Sequence, residues 1–251
     1  MANGERFSRI VQLLGQNVLE QLSKVKVGVF GLGAVGSYAV EALARAGIGA
    51  MRLVDFDVIK HSNFNRQLYA LECNVGRSKV EIAIERVLEI NPACRVEALN
   101  EFVDAKNVER FLSQPLDVVI DAIDSVNPKV ALLGACKKNR LKVVSSMGAA
   151  TRLHPDFVRI GDISETTNCP LARFIRKRLK KYGVESGIRC IYSIETPRNK
   201  TLPLMEEGEE FFVRGRKRKP IGSMSYMTGI FGLLAAYEAL KLLGIVPSCE
   251  K

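Results

Sequence analysis

The sequence contains no tryptophan and only two histidines, His61 and His154. So few imidazoles leave little room for a histidine-centred mechanism or a His-rich metal site, and both read as ordinary surface or loop residues. The six cysteines are Cys73, Cys94, Cys136, Cys169, Cys190 and Cys249, and no two form a C-x-x-C pair. A tetrahedral zinc site built from cysteine pairs is therefore not supported. The opening residues, MANGERFSRI, are polar and do not resemble a secretory leader. The thiols are accordingly expected to be reduced, in a cytoplasmic protein. Long uncharged apolar runs are missing too. The most apolar stretch, Met224 to Gly244, carries Glu238 and Lys241, whereas a membrane span needs about twenty apolar residues with few charges. A core or subunit-interface helix is favoured over membrane contact. No internal repeat or low-complexity linker is visible.

What remains is ordinary for a soluble globular protein: 251 residues, 47% hydrophobic and 25% charged. The charge balance is not ordinary. Thirty-seven lysines and arginines against 27 acidic residues leave a formal charge of +10. Such an excess favours a polyanionic partner, with nucleic acid ahead of a membrane surface.

The chain is organised around Val25 to Asp57. The Val-rich run VKVGVF reads as a buried strand. Gly31, Gly33 and Gly36 follow in the order G-x-G-x-x-G. Ala34 to Ala46 carries helix formers with a small-residue face, Gly47 and Gly49 stop it, and Met51 to Asp55 reads as a second strand. One glycine permits a tight turn, one lets backbone approach a phosphate, and one lets the helix pack closely on the strand. The helix N-terminus presents N–H groups and partial positive charge to an anion. Asp55 closes the second strand where a carboxylate can accept hydrogen bonds from ribose hydroxyls. The unit predicts a nucleotide site without saying which nucleotide.

Around it the pattern alternates. Met1 to Lys24 reads as helical, broken at Gly15, and Arg6 and Arg9 stand at its start. His61 to Gln67 is polar and lies after the second strand, at the sheet edge where open parallel sheets bind ligands. Val80 to Ile90 reads as an amphipathic helix, Arg95 to Leu99 as a strand and Asn107 to Leu112 as a short helix. DVVIDA, Asp117 to Ala122, reads as a strongly apolar strand with Asp121 and Asp124 at its end. Pro128 to Asn139 is expected helical and Lys142 to Ser146 extended. This alternation to Ala150 predicts an α/β fold: a doubly wound, Rossmann-like, mostly parallel sheet with N-terminal helices and a C-terminal extension. We expect one domain over residues 1–251, with a nucleotide-binding core at about 24–150 and a substrate-facing extension at about 151–251. In the extension, Arg152 to Ile160 and Ile188 to Glu195 suggest strands. LARFIRKRLKKY is a basic amphipathic helix, and Asn199 to Pro220, with EEGEE and RGRKRK, reads as a mobile excursion.

Arg66 and Lys79 are cations just after the second strand, and Asp124 follows DVVIDA. A dinucleotide site has little use for them. A triphosphate site needs cations for the phosphates and a carboxylate for Mg²⁺. A nicotinamide-binding redox protein using the same turn is the reading they argue against.

GLGAVGS, LVDFD, SNFNRQ, VGRSK and DAIDS, in that order, resemble the ubiquitin-activating-type (ThiF-type) adenylyltransferases. The resemblance implies an ATP site in which Gly31, Gly33 and Gly36 line the phosphates and Asp55 holds the ribose. Asn63, Arg66 and Lys79 would contact the phosphates, and Asp124 would bind Mg²⁺. It also implies a homodimer in which an N-terminal arginine, matched here by Arg9, reaches the partner's ATP. The implied reaction is attack of a carboxylate on the α-phosphate, giving an acyl-adenylate and pyrophosphate, with Arg66 and Lys79 neutralising the developing charge. One branch activates the C-terminal carboxylate of a ubiquitin-like or sulfur-carrier protein. Its two zinc-holding C-x-x-C pairs are absent, and Cys169 and Cys190 match its catalytic cysteine by location only.

RAGIGAMRLVDFD, NRQLYAL, NVGRSK, VIDAIDSVNPK, CPLARFIRKRLKKYGV and IRCIYSIETP resemble another branch along nearly the whole chain, the tRNA threonylcarbamoyladenosine dehydratases. That resemblance implies a tRNA substrate carrying threonylcarbamoyladenosine beside the anticodon. ATP activates its threonine carboxylate, and the ureido group closes a ring with net loss of water. It leaves open a sulfur-relay or redox partner. The charge agrees independently, since phosphate neutralisation carries much of the affinity for nucleic acid. The tRNA contacts are expected from Arg176, Lys177, Lys180 and Lys181 on the basic helix, and from Arg216 and Lys217 on the excursion.

Overall fold

The computed structural model of the chain describes residues 5–198 and 221–247, and the backbone of 212–213 and 216–217. Two short helices, α1 (Ser8–Leu14) and α2 (Gln16–Leu22), meet at Gly15, whose φ of +88° breaks the helical path. The apolar Val-rich run becomes β1 (Lys26–Phe30), buried along nearly its whole length because α/β sheets are covered on both faces. There follow α3 (Gly36–Arg45), β2 (Ala50–Asp55), α4 (Lys79–Ile90), β3 (Arg95–Asn100), α5 (Val108–Leu112), β4 (Val118–Asp121), α6 (Val126–Lys138) and β5 (Val143–Ser146). The second half adds β6 (Val158–Asp162), α7 (Pro170–Leu179), β7 (Arg189–Ser193) and α8 (Ser225–Leu242).

The main sheet has seven strands in the order β3-β2-β1-β4-β5-β7-β6. All neighbours are parallel except β6 against β7. The doubly wound expectation holds, and β6 adds an antiparallel edge. Arg152 to Phe157 is not extended as expected; Pro155 opens a 3₁₀ turn there, and pairing begins only at Val158. Chain order reverses between β1 and β4, so a crevice opens at the carboxyl ends of those strands.

The most apolar stretch forms α8, which lies on α3 and on the sheet face. A Cβ at Gly232 would stand 2.3 Å from the Val35 carbonyl oxygen, so this crossing requires glycine. Glu238 is buried on the same helix and pairs with Arg189 at 2.5 Å. No helix among the described residues is long and apolar enough to cross a membrane. Of the excursion, β8 (Phe212–Val213) and β9 (Arg216–Lys217) form a two-stranded antiparallel ladder. The rest of residues 199–220, with EEGEE and the side chains of RGRKRK, lies outside the described residues, as does Cys249. The other five cysteines are free thiols, four of them buried.

Candidate active site at the carboxyl edge of the sheet

The glycine turn is built as its spacing demands. Gly31 sits at φ +90°, and a Cβ there would meet the Ala122 carbonyl oxygen at 2.8 Å. A Cβ on Gly36 would lie 1.7 Å from the Gly31 carbonyl oxygen, so the start of α3 can press on the turn only without a side chain. Gly33 has ordinary space, with the Gln67 amide its nearest neighbour at 3.6 Å.

Asp55, at the end of β2, is buried and grips this turn. One carboxylate oxygen accepts the Leu32 N–H at 2.6 Å and the other accepts the Asp57 N–H at 2.9 Å. Burial pushes its carboxyl above the usual range, against the opposing pull of Lys79 and those two N–H donors. Each oxygen keeps a further lone-pair direction for a hydroxyl donor. Lys79 opens α4, is almost wholly buried, and sits 3.1 Å from Asp57.

The polar stretch after β2 folds back over the turn. His61–Asn63 forms a single 3₁₀ turn, and the buried Asn63 accepts the Lys60 N–H at 3.1 Å. Arg66 is half-buried, and its guanidinium donates to the Ser62 carbonyl at 2.7 Å and to Asn65 at 2.8 Å. Leu68 N–H reaches the Ser37 hydroxyl at 3.3 Å, which ties this segment to the first turn of α3.

On the other side of the crevice, the two acids after β4 have different fates. Asp121 is fully buried against Lys129 at 2.8 Å. Asp124 is exposed at the loop, with the Ser125 hydroxyl donating to it at 3.2 Å. Mg²⁺ typically takes one or two carboxylates plus substrate phosphates, so a single accessible carboxylate here fits that ion. No cluster of three or more His, Cys, Asp or Glu stands together among the described residues. Asp121 stands out in the sequence but Lys129 does not, because its meeting with Asp121 is made by the packing of α6 on β4.

Gly31, Gly33, Gly36, Asp55, Asn63, Arg66, Lys79 and Asp124 thus gather on loops at one sheet edge. Arg9 does not join them. It lies on α1, bonded to Gln12 at 2.8 Å. The N-terminal segment packs at the opposite edge, where Gly49 N–H meets Leu22 O at 3.0 Å and Arg6 donates to Ile90 O at 2.7 Å.

Of the basic helix, Lys177, Lys180 and Lys181 are exposed, with Arg173 and Arg178 beside them. Arg176 is different: half-buried, it donates to the Thr166 carbonyl at 2.6 Å and so holds its own helix in place. Arg178 donates to Asn127 in the first turn of α6, which puts the C-terminal end of α7 next to the Asp124 loop. Cys169 and Cys190 are both buried, and burial pushes the Cys190 thiol far up, which suits an inert thiol rather than a nucleophile.

The family model that matches the chain is the ThiF family, over residues 7–249. The tRNA threonylcarbamoyladenosine dehydratase of Escherichia coli strain K12 is 38% identical over 248 residues, covering 94% of this chain and 92% of that protein. The protein of the same name from Bacillus subtilis strain 168 is 39% identical over 230 residues, covering 91% of each. Among solved structures, the E. coli dehydratase in complex with ATP superposes with a TM-score of 0.86 at 36% identity, over 97% of this chain and 95% of that one.

Proposed function

The chain belongs to the ThiF family, and on that premise we propose that it is an ATP-dependent tRNA threonylcarbamoyladenosine dehydratase. It adenylylates the threonine carboxylate of N6-threonylcarbamoyladenosine beside the anticodon, and the activated carboxyl then closes a ring with net loss of water. The observation that carries this reading is the coincidence of two things. The crevice at the topological switch point brings together the glycine turn, the buried Asp55 bonded to it, the cations Arg66 and Lys79, and the exposed carboxylate of Asp124. The similarity to dehydratases runs the length of the chain rather than the nucleotide half alone.

The residue roles follow from what each group can do. The turn at Gly31, Gly33 and Gly36 admits the phosphates close to backbone, and Asp55 accepts from the ribose hydroxyls. Asn63, Arg66 and Lys79 hold the phosphates, and the two cations neutralise charge as the α-phosphate is attacked. Asp124 holds Mg²⁺, which offsets charge on the triphosphate when bound. Little covalent work falls to the protein; in-line placement of carboxylate and phosphate supplies most of the rate. The substrate's own ureido group is the second nucleophile, so no enzyme thiol is needed. Lys177, Lys180 and Lys181, with Arg216 and Lys217, draw in the tRNA backbone. Arg176 supports that surface through its contact with Thr166.

We place the working molecule as a homodimer. Arg9 belongs to the N-terminal segment packed at the edge opposite the crevice, and α1 exposes Leu13 while α8 exposes Leu233 and Tyr237. Arg9 of one copy then completes the ATP site of the other.

The test is direct. tRNA carrying threonylcarbamoyladenosine is incubated with the protein, ATP and Mg²⁺, then digested and its nucleosides weighed. The expected product is one water lighter, with AMP and pyrophosphate released in step. An unchanged nucleoside, or conversion without ATP, overturns the assignment.

A further inference from the structure

Lys129 and Asp121 form the most deeply buried ion pair among the described residues, with both side chains at 0% exposure and 2.8 Å between Nζ and Oδ2. Such a pair adds little net stability, because desolvating two charges offsets most of their attraction. Its geometry indicates another use. The Lys129 ammonium also donates to the Ile123 carbonyl at 2.9 Å. Asp121 accepts the Ile123 N–H at 3.1 Å and, from β5, the Ser145 hydroxyl at 2.6 Å. Both polar groups of the Ile123 backbone are therefore held by the pair. Ile123 immediately precedes Asp124, and Ser125 opens the helix that carries Lys129. The loop is clamped from the helix side by a cation and from the sheet side by a carboxylate. Neither clamping group reaches solvent, and neither can touch a nucleotide in the crevice.

We infer that Lys129 and Asp121 are a positioning pair that fixes the β4–α6 loop so that the Asp124 carboxylate meets the metal-bound phosphates. The inference rests on the reading of Asp124 as the Mg²⁺ ligand. Groups behind a metal ligand commonly set its affinity by about 10–100-fold.

The experiment measures Mn²⁺, in place of Mg²⁺, binding to the protein–ATP-analogue complex by electron paramagnetic resonance, using a non-hydrolysable analogue. Analogue affinity in EDTA is measured beside it by calorimetry. The double variant K129M/D121N removes both charges at similar volume. Its Mn²⁺ affinity is expected to fall about tenfold while metal-independent analogue affinity stays within about twofold. Ser145→Ala, which removes one bond to Asp121 and keeps the ion pair, is expected to lower Mn²⁺ affinity about twofold to threefold. It decides the matter if the double variant does not fold. Equal weakening of both affinities, or unchanged Mn²⁺ binding, overturns the positioning role. D124N separates the two levels. If D124N binds Mn²⁺ as the parent does, the metal reading falls and takes the inference with it. If D124N weakens Mn²⁺ binding and neither K129M/D121N nor S145A does, the inference alone falls.

Discussion

In the half of the chain from β1 to β5, several charged groups at and behind the crevice are built into the fold, and Asp124 is the exposed exception. Asp55 is bonded to the glycine turn, Lys79 is buried against Asp57, and Asp121 is buried against Lys129. On α7, by contrast, most cations stand in solvent, and only Arg176 and Arg178 are tied to neighbouring elements. On the proposed function, the two regions face anions of different kinds. A triphosphate must be held to within fractions of an ångström for in-line attack, which requires groups already fixed before it arrives. A tRNA backbone is a long charged surface, and mobile cations at roughly the right spacing serve it by releasing counterions. If that contrast is right, single changes in the first region should be severe and specific. Those in the second should be mild, cumulative and salt-dependent.

The hardest blow to the first region is steric. Gly36→Ala puts a Cβ 1.7 Å from the Gly31 carbonyl oxygen, where only backbone can give way. We expect a loss of about 3 kcal/mol or more, a melting temperature lower by about 10 °C and no measurable ATP binding, checked by scanning and titration calorimetry. A G36A protein that melts and binds ATP like the parent would show that the turn is looser than its geometry indicates.

Next come the cations. Arg66→Ala and Lys79→Ala should each cut turnover about 10²–10³-fold, as removal of a single transition-state donor does elsewhere. Their tRNA affinity should stay near that of the parent. Single-turnover assays on modified tRNA separate the two effects. Comparable losses in tRNA binding would erase the distinction between the regions.

Much of the first region was legible in the sequence because its chemistry is local. Gly31, Gly33, Gly36 and Asp55 fall within one strand-turn-helix-strand unit, and the Val-rich runs of β1 and β4 mark buried parallel strands by composition alone. The helices were read to within a few residues for the same reason. What could not be read is non-local. Nothing at Lys129 announces that it will meet Asp121, because the meeting depends on how α6 packs against the strand before it. Arg176 sits in a run of six cations within Arg173 to Lys181, and only the position of Thr166 removes it from the solvent face. The sequence suggests a strand over Arg152 to Ile160, but Pro155 and the tertiary pairing of β6 with β7 shift its start to Val158. The split between Asp121 and Asp124, one buried and one exposed, is set by where β4 ends.

The second region is tested through salt. Arg173, Lys177 and Lys181, all exposed, can be replaced by glutamine without disturbing a described ion pair. We expect tRNA affinity to fall about tenfold near 0.1 M salt, and the log–log salt slope to drop by about two to three. ATP binding should not change. Filter binding across a salt series measures both quantities. An unchanged slope would mean that the helix is a solvated face and that tRNA lands elsewhere.

The gentlest probe asks whether the two regions are one cooperative body. Glu41 on α3 accepts from Arg86 on α4 through two bonds of 2.9 and 2.8 Å, and from Arg45 at 2.8 Å. Burial pushes its carboxyl up, but the bonds from Arg86 and then Arg45 outweigh that and hold it below the usual range. A depressed carboxylate stabilises the fold above its unfolded pKa and loses that contribution as pH falls through its folded value. Glu41→Gln should therefore destabilise by about 1 kcal/mol at neutral pH, a figure reduced by the partial exposure of Arg86. The difference should hold steady down to about pH 5 and shrink below the ordinary carboxylate range near 4.5. Urea unfolding followed by far-ultraviolet circular dichroism and by tyrosine fluorescence would measure it. Because α8 lies across α3, with Gly232 against the Val35 carbonyl, a loosened α3 loosens the end of the chain as well. Both signals should shift together in E41Q. Two separated transitions would mean that the half carrying β1 to β5 and the half carrying α7 and α8 are joined less tightly than this crossing implies.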